Sequence, residues 1–503
     1  VTKVSKVKTD VLFIHPGGQK EIYQSLAAEF TAIATPVWAS ILSRALLEKG
    51  YTVEIYDTNV KGWDGGLAKY VIEKYAPRVV VIMVYGHQPS ASTQAMPSAG
   101  KIAKDIKNYN ADIPIAMGGL HPSALPHRTL VEEKIDFVIQ GEGLETIEGI
   151  VKYLSGNCDI KNIRGLWYRR DGEIVSNEPA EPVTDLDEKY PGYAWDLLEN
   201  LNSYRAHNFH CFQEFSKSRA ADFSDVRSPY VTMYTSLGCP YSCSYCCINA
   251  IFGKPGIRYW SVEKVISWID ELVGKYKVKN IRFDDELFIL SPKRIEKFCD
   301  MLIERNYDLN IQVYGRVDTI KDNLLKKMYK AGIRWICLGI ESAEEVVRRG
   351  VNKIIRDDIY SVVKKIQDNG MYVLGNFMFG LPDDNIDTMN KTLQLAIELN
   401  CEFANFYSVM AYPGSKLYEY AIQQRWRLPD TWLGFSQHSY DTMPLPTKYL
   451  TAEEVLKFRD EAFIKYFTNP FYLESIEKKF GGVVRMHVEK MTKIKLRRKI
   501  LGD

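Results

Sequence analysis

Along two separate lengths of the chain, apolar runs of strand length alternate with amphipathic stretches of helical period. That alternation confines the fold to parallel α/β sheets with helices packed on their faces. In the first length, strands read as 11–14, 53–56, 79–84, 113–117 and 137–139, with helices at 36–49 and 97–108. The run 79–84 is apolar throughout, as a strand covered on both faces must be. An open doubly wound sheet follows, its ligand expected beyond the strand carboxyl ends. In the second length, strands read as 230–237, 280–285, 310–316, 335–341, 372–380 and 401–410. Helices between them read as 261–275, 291–305, 321–331, 357–369, 387–399 and 415–424, and Ser291-Pro292 has the form of an N-cap with a first-turn proline. A parallel β/α sheet or barrel results, with site candidates at the residues that close each strand.

The cysteines narrow the chemistry. Nine is an odd count, which sits badly with a secreted disulfide framework and points to a reducing, cytoplasmic setting. No charged-then-apolar leader opens the sequence, and the longest apolar stretch, 79–85, is too short to cross a bilayer, so no transmembrane segment is expected. Sixty-five Lys and Arg against sixty-three Asp and Glu argue against a nucleic-acid partner. Four cysteines crowd into Cys239-Pro240-Tyr241-Ser242-Cys243-Ser244-Tyr245-Cys246-Cys247, directly after a strand. Three thiolates at C-x3-C-x2-C spacing can wrap three corners of an iron–sulfur cube, whereas zinc would want a fourth ligand nearby. The fourth iron is then open to a substrate or cofactor.

Cys239, Cys243 and Cys246, with Tyr245 before the third, resemble the signature of radical S-adenosylmethionine (SAM) enzymes. The resemblance implies a partial (β/α)6 TIM barrel and a [4Fe-4S] cluster whose open iron binds the amino and carboxylate groups of SAM. It also implies an external one-electron reductant, flavodoxin- or ferredoxin-like, that drives cleavage to methionine and a 5′-deoxyadenosyl radical. Tyr245 would lie against the adenine, and Cys247, outside the spacing, reads as a buried bystander. Asp284, Asp285 and Glu286 close the second strand between aromatics, a costly placement unless they meet a cation or solvent. By the resemblance one of the three holds the SAM amino group; spacing does not say which. Arg316, Glu341 and Asn376 end the next three strands and resemble the residues that contact the SAM carboxylate and ribose. An Arg and a Glu so placed could equally pair as scaffold.

Ahead of this unit, the loop Gly86-His87-Gln88-Pro89-Ser90-Ala91-Ser92 precedes the pair Gly118-Gly119, and Gly141-Glu142-Gly143 follows the next strand. That order resembles a Rossmann-like cobalamin-binding domain, which implies cobalamin as cofactor and His87, Ser90, Ser92, Gly118, Gly119 and Glu142 as its contacts. One feature departs from many such domains: their Asp-x-His-x-x-Gly, whose His ligates cobalt, has no match in 19–36. Asp57-Thr58-Asn59-Val60-Lys61-Gly62 mimics the spacing, but it follows the second strand and carries Asn for His, and reads as coincidence. His15, His87 and His121 stand at strand ends, within reach of a corrin or as plain loop residues.

Together the resemblances imply a cobalamin-dependent radical SAM enzyme divided as 1–155 (cobalamin), 156–228 (joining segment), 229–424 (radical SAM barrel) and 425–503 (mainly helical extension). The expected reaction is methylation of an unactivated carbon or phosphorus centre of a small molecule or peptide. The alternative is a cyclase or rearrangement enzyme without methyl transfer. An RNA methylthiotransferase would need a second upstream Cys triad, for which Cys158 and Cys211 are too few; a non-catalytic sensor would not need the acidic and ribose-site residues. In the joining segment, 167–174 reads as a hairpin, and Tyr204, His207, Phe209, His210 and Phe212 read as interdomain packing, with the wall of a substrate pocket between domains as the alternative. The stretch 485–503, with seven basic residues against two acids, reads as a solvated helix, with a membrane or acidic partner as the alternative.

Overall fold

The computed structural model describes residues 8–85, 91–217 and 224–503. Seven strands form the first sheet: β1 (Val11–His15), β2 (Val53–Asp57), β3 (Val79–Val84), β4 (Ile115–Gly119), β5 (Phe137–Ile139), β6 (Leu166–Arg170) and β7 (Glu173–Ser176). Their order is β2-β1-β3-β4-β5-β6-β7, parallel through β5. The chain reverses direction of travel between β1 and β3, and a crevice opens at that switch point beyond the strand carboxyl ends. The hairpin of the joining segment does not stand apart: β6 pairs antiparallel with β5 and extends this sheet. The helix expected at 97–108 begins earlier, at Ala91, and carries Pro97 inside it.

Two further strands, β8 (Tyr230–Met233) and β9 (Ser236–Leu237), lead into the Cys loop, and β9 pairs antiparallel with β10 (Arg258–Tyr259). The run 230–237 is therefore broken at Tyr234 and Thr235. With β11 (Asn280–Phe283), β12 (Asn310–Arg316), β13 (Ile333–Glu341), β14 (Tyr372–Phe379) and β15 (Phe403–Ser408), β8 makes a six-stranded parallel sheet in the order β15-β14-β13-β12-β11-β8. It is an open barrel whose edges are β8 and β15. Helix Ala452–Phe467 covers the β15 edge, where Arg459 Nε donates to the Phe406 carbonyl at 2.7 Å and Tyr466 to that of Cys401 at 2.6 Å.

One apolar core runs through both units, joining Phe13 and Trp38 to Tyr234, Phe252 and Phe283. Polar bonds fix their relative position. Thr232 N of β8 donates to Thr35 Oγ1 at 3.1 Å, and Tyr193 O–H donates to the Tyr234 carbonyl at 2.9 Å. The aromatic and His stretch plugs the amino-terminal mouth of the barrel. His210 Nε2 donates to the Asn310 carbonyl at 3.1 Å, and Asn310 Nδ2 returns a bond to the His210 carbonyl at 2.8 Å. The basic tail is a short helix, Gly482–Thr492, followed by an irregular strap rather than a free helix. Arg498 is 1% exposed and grips Asp460 Oδ2 at 2.9 Å.

Candidate active site

Gly238 turns β9 into the Cys loop at φ +88°, where a side chain would meet the Gly256 carbonyl at 2.5 Å. The chain then holds the loop from several sides. Gly256 N donates to the Cys239 carbonyl at 3.0 Å, Ser244 N to that of Val351 at 3.0 Å, and Leu417 N to that of Ser244 at 2.8 Å. Asn352 Nδ2 adds bonds to the Ser242 carbonyl at 3.2 Å and hydroxyl at 2.7 Å. Cys239, Cys243 and Cys246 are free and partly exposed, with Cys247 buried behind them. Burial, and then the charge of their neighbours, pushes the Cys239 thiol up to about 11 and Cys246 to about 12. Three free cysteines on one loop are a donor set that fits an iron–sulfur cluster.

The three carboxylates after β11 have separate surroundings. Asp284 is paired with Arg282, 2.6 Å from Nη2. Asp285 accepts from Thr235 N at 2.9 Å, Thr235 Oγ1 at 2.8 Å and the Ser236 hydroxyl. Glu286 accepts one bond, from Gly238 N at 3.2 Å, and its buried Oε1 has no partner. Burial raises its carboxyl to about 8. The bond from Gly238 N puts Glu286 at the entry to the Cys loop, two residues after Asp284, which faces the first unit.

Arg316 and Glu341 do not pair with each other. Arg316 is fixed by Asp318 at 3.0 Å and the Ile354 carbonyl at 2.7 Å, stacks on Tyr241 with 3.8 Å to the ring centre, and puts Nη1 3.9 Å from Cys243 Sγ. Glu341 sits at φ +65°, at a bulge between β13 and β14, and accepts from Lys353 Nζ at 2.9 Å and Tyr245 O–H at 3.1 Å. A non-glycine residue held there is strain stored at a site. Asn376 accepts from Asn405 Nδ2 at 3.0 Å. Arg316, Glu341 and Tyr245 gather round the Cys loop.

In the first unit, Gly119 at φ +123° lets β4 pass Val84, whose carbonyl a side chain would meet at 2.1 Å. Gly118 lies against Ile139 and Met83, wholly buried. Two expected cofactor contacts have other work here. Ser92, fully buried, donates to the Val84 carbonyl and accepts from His121 N at 3.0 Å, so it ties β3 to β4. Glu142 accepts from Arg258, from Tyr190 O–H at 3.3 Å and from Val183 N at 3.2 Å, a latch between the units. His121 is packed behind the strand ends, 4.4 Å from the Trp432 ring, and burial holds its imidazole down to about 3. His87 and Ser90 lie outside the described residues.

Beyond the ends of β1 and β3 opens a cleft of about 660 Å³, part of it open to solvent. His15, Gln19, Trp38, Asn59 and Tyr85 wall it from the first unit, Tyr234 and Asp284 from the second. Buried polar wall atoms that make no well-formed hydrogen bond fit an amide-rich ligand such as cobalamin. Sequence reasoning placed only His15 and Asp284 among site candidates. Trp38, Tyr85 and Tyr234 read as ordinary core aromatics, and their facing a cleft follows from how the two sheets meet.

Known proteins bear on this arrangement. The B12 binding domain family matches residues 23–151, and the Radical SAM superfamily matches 233–396. An uncharacterized methyltransferase of Pyrococcus horikoshii is 29% identical over 429 residues, covering 84% of this chain and 86% of its own. An anaerobic magnesium-protoporphyrin IX monomethyl ester cyclase of Rubrivivax gelatinosus is 27% identical over 418 residues, 81% of this chain and 69% of its own. Among solved structures, the cobalamin-dependent SAM radical enzyme OxsB aligns over 96% of this chain and 71% of its own at TM-score 0.69 and 16% identity. The radical SAM methyltransferase TsrM from Kitasatospora setae aligns over 83% and 75% at TM-score 0.63 and 17% identity. Both share the fold. Among the described residues, no helix is long and apolar enough to cross a membrane. With a B12-binding domain ahead of a Radical SAM domain and a cleft between them, the chain is a cobalamin-dependent radical SAM enzyme.

Proposed function

We propose that the chain is a methyltransferase that modifies an unactivated carbon, or a phosphorus centre, of a small molecule or peptide. The observation that carries this reading is the turn after β11, where Glu286 accepts from Gly238 N at the entry to the Cys loop while Asp284, two residues before it, lines the cleft. Two cofactor sites that meet at one turn suit a reaction in which a substrate lies between them. Bound there, the cluster with SAM would supply a hydrogen-abstracting radical and the corrin a methyl group. The chain's own part is to bind and orient. Cys239, Cys243 and Cys246 hold the cluster, and Glu286 Oε1 accepts from the SAM ammonium. Arg316 faces the carboxylate, while Glu341 and Asn376 take the ribose and Tyr245 the adenine. Named methyltransferase relatives support methylation, among them a cytidylyl-2-hydroxyethylphosphonate methyltransferase of Streptomyces wedmorensis, 22% identical over 416 residues. The cyclase relative supports the second reading, ring closure without methyl transfer.

Product analysis separates the two. Reconstituted enzyme supplied with a flavodoxin-type reductant should release 5′-deoxyadenosine and S-adenosylhomocysteine together. A cyclase yields only the first. Cys239→Ala should lower 5′-deoxyadenosine at least a thousandfold; activity retained in that variant would end the assignment.

A further inference from the structure

The cleft over β1 and β3 is unusual in what its wall leaves unsatisfied. Gln19 Oε1, Asn59 Oδ1 and Trp38 Nε1 are buried and among the described residues make no well-formed hydrogen bond, the Tyr85 hydroxyl alone approaching Trp38, and all three residues line the cleft. Buried polar groups are nearly always paired, so three on one wall call for an explanation. Two are acceptors and one is a donor. The surroundings keep them that way. Asn59 N is held by Asp57 Oδ1 at 2.9 Å, and its side chain also bonds Asp57. The Asp57 carboxylate is braced in turn by Tyr204 O–H at 3.1 Å. Asn59 Oδ1 therefore points away from its own turn, toward Gly17, where an added side chain would come within 3.3 Å of it. Gln19 opens a short helix that the segment 436–438 ties down: Ser436 Oγ donates to the Ile22 carbonyl at 3.1 Å, and Gln24 Nε2 to that of His438 at 2.7 Å. Trp38 is 2% exposed on the first long helix, its ring 5.4 Å from Tyr85.

We propose that Gln19, Asn59 and Trp38 form a hydrogen-bonding rim for the carboxamide groups at the edge of the corrin. A primary carboxamide offers N–H donors to Gln19 Oε1 and Asn59 Oδ1 and a carbonyl to Trp38 Nε1. The inference rests on reading the cleft as the cobalamin site, and it gives Asn59 a function there, recognition of the ring edge and not of the metal.

The test is binding of hydroxocobalamin to the full chain, followed by its absorbance after equilibrium dialysis, with iron per chain and apo-protein Tm measured alongside. Asn59→Leu and Gln19→Met remove an acceptor while keeping shape. Each should weaken binding about tenfold, and the pair more than either alone. Neither should change iron content; apo Tm should hold or rise in Gln19→Met, where an unfilled buried acceptor is replaced by an apolar group, and fall in Asn59→Leu, which also loses the side-chain bond to Asp57. A cobalamin derivative with one carboxamide hydrolysed to carboxylate should bind wild type less tightly, because a carboxylate presents no donor to either acceptor. Unchanged affinity in both variants, or a lowered apo Tm in Gln19→Met showing that this side chain serves the fold, would overturn the rim. Wild type that retains no hydroxocobalamin would instead overturn the reading of the cleft, and the rim with it.

Discussion

At the Cys loop, backbone bonds from Gly256, Val351 and Leu417 hold the chain in place, and Glu286 Oε1 is the one unpartnered buried atom noted there. Over the first sheet the balance is reversed. The strand ends are locked by Gly119 and Ser92, while the cleft wall carries three buried polar atoms that make no well-formed hydrogen bond. One end is a frame already folded to receive a small cluster; the other is a rigid floor under an unfilled rim. A compact ligand held by three thiolates needs its donors fixed beforehand. A broad ligand recognised by many weak amide contacts needs complementary groups left free, at a cost of about 1–3 kcal/mol for each group left unfilled.

If that floor is rigid for the reason given, Gly119→Ala is the most damaging single change outside the Cys triad. The left-handed φ and the 2.1 Å approach to the Val84 carbonyl have no side-chain remedy. A loss of about 3 kcal/mol is expected in urea unfolding, together with weakened cobalamin retention. Iron bound at the Cys loop should be much less affected, and equal loss at both ends would erase the distinction between them.

Acid should loosen the same floor next. Burial holds His121 neutral down to about 3 in the fold, against about 6.5 in the unfolded chain. Its folded pKa is depressed, so between those values the unfolded state carries the extra proton. Stability is thus fully present above pH 6.5 and falls as pH is lowered through the window. The slope is about 1.4 kcal/mol per pH unit from this residue, or about 2 kcal/mol between pH 6.5 and 5. His121→Gln should flatten that slope in urea melts compared at the two pH values.

Much of this was legible beforehand, for physical reasons that also explain the gaps. The strands at 79–84 and 137–139 match β3 and β5 at both ends because they are short apolar runs bounded by turn residues, and 310–316 matches β12 through the polar–apolar alternation of Asn310-Ile311-Gln312-Val313. The Cys triad was legible because its chemistry is local to one loop. The structural bonds of Ser92 and Glu142 were not legible, because a motif fixes where a residue sits along the chain, while hydrogen bonds to Val84 and Arg258 come from the fold. Which of Asp284, Asp285 and Glu286 stays free was likewise invisible: Arg282, Thr235 and Ser236 claim the first two only once β8, β9 and β11 lie side by side. The C-terminal basic stretch looked free because its countercharge, Asp460, is 38 residues away from Arg498.

The smallest effect tests whether the Cys loop is as redundantly held as it looks. Asn352 is exposed and reaches Ser242 through two side-chain bonds, while the three backbone bonds of the loop do not involve it. Exposed bonds of this kind contribute about 0.5–1 kcal/mol. Asn352→Ala should therefore leave urea stability within about 1 kcal/mol of wild type and iron per chain unchanged, with at most a few-fold faster loss of iron to a chelator. Iron loss as severe as in Cys239→Ala would mean that this one side chain holds the loop, and the contrast between a frame built by backbone and a rim built by side chains would fail at its first member.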